Sequence, residues 1–192
     1  MGFNIAILIS GKGSNMTNIV NASQKKEINS KIITVISDNP GAEGIKKAKK
    51  FGLDSKVINY KKLGKDNFEK HLIDYLKKKK IDLICLAGFM KVLSKDFIKN
   101  WRKKIINIHP SLLPSFKGLN THERAIEMKV KYSGCTVHFV NEKLDSGEII
   151  DQEIVRISEK DNEKSLRKKI LMKEHKLYIR VIKRMEKKNG KF

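Results

Sequence analysis

A neutral amide and an imidazole stand two residues apart in Asn107-Ile108-His109, directly ahead of Pro110-Ser111-Leu112-Leu113-Pro114. Ile105-Ile106 before them reads as a buried strand, and side chains two apart on a strand share a face. Pro110 lacks an N–H and fixes its own φ, so the strand stops there and a loop begins. Open α/β sheets place their chemistry at such carboxyl ends. A carboxylate follows in a second loop, Leu144-Asp145-Ser146-Gly147, after the β-rich run Ser133-Gly134-Cys135-Thr136-Val137-His138-Phe139-Val140. An amide can donate to an oxyanion, an imidazole can donate or relay a proton, and a neighbouring carboxylate favours the imidazolium. Asn107, His109 and Asp145 are therefore candidates for one site. The plainer alternative has Asn107 satisfying loop backbone, His109 on the surface and Asp145 forming a turn.

A second candidate is Ser10-Gly11-Lys12-Gly13-Ser14-Asn15, between an apolar run and a helix. Glycine allows a tight turn and close approach of a ligand, and the free N–H groups of a helix start attract an anion such as phosphate. The third glycine of a dinucleotide fingerprint is missing and the spacing is not that of a P-loop. Asp38, after the second β-rich run, keeps a dinucleotide reading open, and a tight turn without a ligand is the other alternative. The five histidines show no metal-ligand spacing: His122-Glu123 lacks the second histidine of a zincin helix, so no metal is expected.

The elements that must position these groups alternate. Residues 3–9 and 31–36 read as strands, with Asp38-Asn39-Pro40-Gly41 closing the second. A helix runs from about Ala42 to Phe51-Gly52, and Val57 to Tyr60 is a short strand. Phe68, Leu72, Ile73 and Leu76 recur at helical spacing within 66–80. Ile81 to Ala87 is a continuous apolar strand, Ser94 caps a short helix through Trp101, and strand, loop and helix repeat through 105–129. Gly134 to Val140 and Ile149 to Ile157 are two further strands. Asp161 or Asn162 caps a final helix that turns Leu166, Ile170, Leu177, Val181 and Met185 inward. This alternation predicts one α/β domain over residues 1–192, a Rossmann-like doubly wound and mostly parallel sheet, with a frayed tail at 187–192.

Composition bounds the function. The 192 residues suit one domain with a full core, and 40% hydrophobic content suits a soluble globular protein. No apolar run is long enough to span a bilayer and no cationic segment precedes the first one, so neither membrane nor secretion is expected. Cys85 and Cys135 form no C-x-x-C pair and read as free thiols of a reducing cytoplasm. The net charge of +21 could mark a nucleic-acid binder. Yet the lysines spread over nearly every helix face, and no stacking motif or arginine-rich arm accompanies them. The charge reads as solvated surface that also steers anionic substrates, with no specific nucleic acid.

Ile9 through Asn15, Leu86-Ala87-Gly88-Phe89-Met90, Asn107 through Pro114, Gly118-Leu119-Asn120-Thr121-His122 and Ser133 through Gly147 occur in the order found in folate-dependent formyltransferases. The chain most resembles the glycinamide ribonucleotide branch of that family, from the first strand to the last helix. The resemblance implies transfer of a formyl group from 10-formyltetrahydrofolate to the amine of glycinamide ribonucleotide in purine synthesis, with no metal. It implies that Asn107, His109 and Asp145 are catalytic and that Gly13, Ser14, Asn15 and Glu174 hold the ribonucleotide. It also implies that Lys65, Met90, Lys91, Val92 and Leu93, with Asn141, Glu142, Lys143, Leu144 and Asp145, hold the folate. Residue by residue, bland alternatives stay open: core packing for Met90 to Leu93, an exposed helix face for Glu174. Lys65 replaces an arginine that the family can carry, and a lysine makes no bidentate fork. Methionyl-tRNA formyltransferase and formyltetrahydrofolate hydrolase share the His-Pro-Ser-Leu-Leu-Pro run; the segment 116–122 favours the ribonucleotide enzyme. A homodimer remains open.

Overall fold

The computed structural model describes residues 2–188. Seven strands form one sheet in the order β3-β2-β1-β4-β5-β6-β7. β1 (Asn4–Ile9), β2 (Lys31–Ser37), β3 (Ser55–Val57), β4 (Leu83–Leu86) and β5 (Ile105–His109) are parallel. β6 (Tyr132–Phe139) and β7 (Ile149–Arg156) return antiparallel. The helices are α1 (Ser14–Gln24), α2 (Glu43–Lys50), α3 (Tyr60–Lys78), α4 (Lys95–Asn100), α5 (Thr121–Glu127) and α6 (Glu163–Lys187). The expected doubly wound, mostly parallel sheet is thus present.

Period-two alternation sorts the strand residues between two cores. Ile5, Ile7 and Ile9, with Leu83, Cys85, Ile106, Ile108 and Val137, pack on α1, α2 and α6. Ala6, Leu8, Ile84, Leu86 and Ile105 pack on α3 and α4 through Phe68, Leu72 and Phe97. By that parity Asn107, His109, Thr136 and His138 fall on the α3/α4 face. They lie at the carboxyl end of β5, past the last apolar layer.

The five inward residues expected of the last helix are buried, and Asn162 begins that helix with a reciprocal capping box to Ser165. Tyr178 of α6 is fully buried, and its hydroxyl lies 3.0 Å from Leu86 O and 3.1 Å from Ile106 O, bridging β4 and β5. Ser94 caps α4 by accepting from Phe97 N, as expected.

Four expectations need correction. The third strand is Ser55–Val57 rather than 57–60, because Asn59 accepts from Lys62 N and starts α3 at Tyr60. α3 therefore begins before 66, broken at Gly64 (φ 72°, ψ 172°), where glycine permits the kink. The fourth strand is shorter than 81–87, since the apolar flanks Ile81 and Ala87 are buried without extending the ladder to β5. α6 continues through Lys187, so helix covers the start of the expected frayed tail; residues 189–192 lie outside the described residues.

Candidate active site

Asn107 pairs across the ladder with His138, and His109 with Thr136. His109 Nε2 lies 2.9 Å from Phe116 O; a carbonyl only accepts, so Nε2 carries a proton. Its Nδ1 faces Asp145 Oδ2 at 3.4 Å. Both ring nitrogens thus face acceptors. His109 is buried.

Asp145 reaches this point by adopting the left-handed region (φ 44°), which aspartate tolerates better than most residues. The Gly118 N–H donates to Asp145 Oδ2 at 2.9 Å, and Lys117 Nζ donates to Ser146 Oγ, zipping the two loops together. Gly147 is required by space: a Cβ there would lie 1.7 Å from Phe139 O. Phe116 is also left-handed (φ 53°), a strained choice for an aromatic residue, and its carbonyl is the one that accepts from His109.

His138 is a member of this cluster that sequence reasoning did not select. Its Nδ1 is 2.8 Å from Phe139 O, so the proton sits on Nδ1. Burial pulls this imidazole below its ordinary range, against the Phe139 carbonyl and Asp145, so near neutral pH Nε2 is a bare lone pair. That lone pair accepts from Asn107 Nδ2 at 3.2 Å, which fixes the amide nitrogen of Asn107 towards it. Asn107 Nδ2 keeps a second hydrogen. Asp145 Oδ1 stands 3.7 Å from His138 Nε2. The signal in the sequence was the alternation Thr136-x-His138, which puts both residues on the face of Asn107 and His109. A register irregularity between Val137 and His138 in the β6–β7 pairing bends the strand at this point.

The glycine loop opens α1. Gly13 is the N-cap with φ 69° and no side-chain cap, so the first-turn N–H groups have no acceptor within the helix or from a capping side chain. A Cβ on Gly44 would lie 2.4 Å from Ile9 Cδ1, and its N–H donates to Gly11 O, so α2 packs directly on the loop. Ser14 is exposed, whereas Asn15 is buried and donates from Nδ2 to Glu174 Oε2 at 2.6 Å. Burial raises the Glu174 carboxyl above its usual range, partly offset by that bond. Asn15 Oδ1 is buried without a hydrogen-bond partner. Gly13, Ser14, Asn15 and Glu174 are thus brought together, and the exposed-face alternative for Glu174 is excluded.

Of the other segments, Met90 (62% exposed) and Val92 (57%) are open, Leu93 is buried, and Lys91 is half-buried. Core packing therefore fails for Met90 and Val92. Asn141, Glu142, Lys143 and Leu144 are exposed, and Lys95 pairs with Glu142 at 3.3 Å, drawing the two segments together. Lys65 is exposed on α3, three residues before Phe68, whose ring stacks on Phe89. Burial and Arg167 push His122 down to about 4, so it is neutral at pH 7. Among the described residues no group of three or more His, Cys, Asp or Glu could hold a metal ion. A separate cleft of about 540 Å³, lined by Asp54, His71, Tyr75 and Lys79 among others, contains none of these residues. Its polar groups answer one another: Tyr75 donates to Asp54, and Lys79 pairs with Asp54 at 2.7 Å.

Residues 3–182 match the family described as Formyl transferase. The chain is 42% identical over 175 residues to the trifunctional purine biosynthetic protein adenosine-3 of Gallus gallus, covering 91% of this chain and 17% of that protein. It spans less than a fifth of such relatives. It is 41% identical to the phosphoribosylglycinamide formyltransferase of Haemophilus influenzae, covering 93% of this chain and 85% of the relative. The crystal structure of glycinamide ribonucleotide transformylase 1 from Symbiobacterium toebii superposes with a TM-score of 0.92 at 37% identity, over 95% of this chain and 86% of that one.

Proposed function

This chain belongs to the formyl transferase family, and we propose that it transfers the formyl group of 10-formyltetrahydrofolate to the amine of glycinamide ribonucleotide. The observation that carries the reading is the junction of Asn107, His109 and Asp145 at the carboxyl end of β5. A formyl transfer from nitrogen to nitrogen forms one C–N bond and breaks another through a tetrahedral oxyanion. The second Nδ2 hydrogen of Asn107 donates to that oxyanion, while His138 holds the amide in place. The His109 imidazolium, paired with Asp145, adds positive charge beside the developing negative one. The attacking amine loses one proton and the departing folate nitrogen gains one. Asp145 is the basic group within reach of the cluster, so it starts that relay.

The two substrates take opposite sides. The ribonucleotide phosphate docks on the uncapped start of α1 at Gly13 and Ser14, and Asn15 with Glu174 takes its hydroxyl groups. The formyl donor lies against Met90 and Val92 on one side and Asn141 to Asp145 on the other, with Lys65 meeting its anionic tail. No helix among the described residues is long and apolar enough to cross a membrane. Both thiols are free and buried, and burial pushes each up to about 12, so neither is a reactive thiolate near neutral pH.

The test is direct: mix the protein with both substrates and follow deformylation of the folate spectroscopically, with recovery of formylated ribonucleotide. Folate deformylation that needs no ribonucleotide would make the chain a hydrolase instead. No turnover by folded protein would remove the reading.

A further inference from the structure

The segment Gly88 to Ser94 is held by side chains from three other elements. Ser10, after β1, donates its N–H to Gly88 O at 3.0 Å and accepts from Met90 N on its hydroxyl at 2.8 Å. Asp38, after β2, faces Lys91 Nζ at 3.7 Å. Glu69, on α3, accepts from Ser94 N at 2.7 Å and from the Ser94 hydroxyl. Between these ties the exposure alternates: Met90 and Val92 are open, while Phe89, Lys91 and Leu93 turn inward.

The neighbours of Met90 grip a single aromatic platform. The Phe89 ring stacks on Phe68 with centroids 6.3 Å apart, and Phe68 meets Tyr60 edge to face at 5.3 Å. Lys91 Nζ lies over the Tyr60 ring, 4.7 Å from its centroid. The Tyr60 N–H in turn donates to Asp38 O at 3.1 Å. The circuit Phe89, Phe68, Tyr60, Asp38 and Lys91 therefore closes through Met90, whose own side chain points out of it. Asp38 is a buried carboxylate whose ion pair is Lys91, and its Oδ1 has no hydrogen-bond partner. A charge so placed holds its cation firmly, because release would strand a carboxylate out of water.

We infer that Lys91 is a positioning residue for the formyl donor. Its ammonium, held by Asp38 and the Tyr60 ring, sets the direction in which Met90 and Val92 present their apolar side chains. The Lys91 side chain is spent inward and does not itself meet the donor's anionic tail. This rests on the reading of Met90 to Leu93 as a donor-binding segment.

The experiment compares Lys91→Met, Asp38→Asn, their double variant and Lys91→Arg, with KM for each substrate, kcat, and hydrogen exchange of the segment. Lys91→Met should raise KM for formyl folate about tenfold. The ribonucleotide KM and kcat should stay within about twofold, and faster amide exchange should be confined to residues 88–93. Arg, which keeps the charge and stacks on the ring, should restore the donor KM to within about threefold. The double variant should be no worse than the poorer single one, since both remove the same strut. An unchanged donor KM in Lys91→Met overturns the inference. So do additive single effects, or an Arg variant as impaired as the Met one. Wild-type protein without turnover overturns the transferase reading itself, whatever exchange shows at 88–93.

Discussion

The parallel strands β1 to β5 and the antiparallel pair β6 and β7 serve the site in different ways. In the parallel part β1 and β4 are apolar and covered on both faces, so the candidate binding groups stand beyond their ends: the glycine loop after β1 and the Met90 segment after β4. In the antiparallel part a side chain of the candidate site lies inside the ladder. His138 faces Asn107 directly across β5 and β6, and its place depends on register. The outer strand β7 instead meets α6 through ion pairs, Arg180 with Asp151 and Glu153 and Lys173 with Glu153. The difference teaches where change is tolerated. A loop after a parallel strand can be redrawn while the strand persists, but a one-residue slip of β6 would turn His138 to the other face. β5 belongs to both parts, and the cluster forms there.

The largest effect should come from that shared strand. His109→Ala should lower kcat by about 10²–10⁴-fold with circular dichroism and Tm nearly unchanged, as for loss of a proton-handling group. Near-normal turnover would exclude His109 from the chemistry. Asn107→Ala should lower kcat by about 10²–10³-fold, the loss of one oxyanion donor. An effect confined to KM would make Asn107 a binding residue. On the antiparallel side, His138→Phe removes the acceptor that orients Asn107, along with the ring's bond to Phe139 O, and should lower kcat about tenfold. Combined with Asn107→Ala it should cost nothing further. Additive losses would give the histidine a role independent of the amide and blur the contrast between the two parts.

The smallest effect concerns Glu174, on the helix that packs against both parts. Its folded carboxyl sits above the usual value of 4.5 because of burial. The folded state therefore keeps this proton to higher pH than the unfolded chain does. The associated stability is fully present below the unfolded value and lost as pH rises through the raised folded one. Glu174→Gln should flatten that part of the pH dependence and raise Tm at pH 7 by a few degrees, while weakening the ribonucleotide. A pH profile of stability identical to wild type would mean that the carboxylate ionises without penalty.

Much of this was legible in the residues, for physical reasons that differ by element. Continuous apolar runs mark buried parallel strands, so β1 and β4 could be read with small errors at their ends. Pro110 marked the end of β5, and the pair Asp161-Asn162 the start of α6, where Asn162 is the cap. The strand near 57 was misplaced because Val57-Ile58 continues an apolar pattern after the ladder has ended, and the cap at Asn59 outweighs it. His138 was passed over as a member of a strand, since composition does not say which face of a strand borders a site. Lys91 was legible only as one of a run expected to hold the folate. Nothing local to it announces Asp38, 53 residues earlier, across the switch between β1 and β4.

The Tyr178 hydroxyl that spans Leu86 O and Ile106 O gives the order of synthesis a structural meaning. Both carbonyls emerge from the ribosome at least 72 residues ahead of the phenol that joins them. A nascent chain halted before the middle of α6 holds β4 and β5 without their bridge and leaves the core beneath them open to water. β4 and β5 thus gain the bridge that ties them together only after α6 has docked.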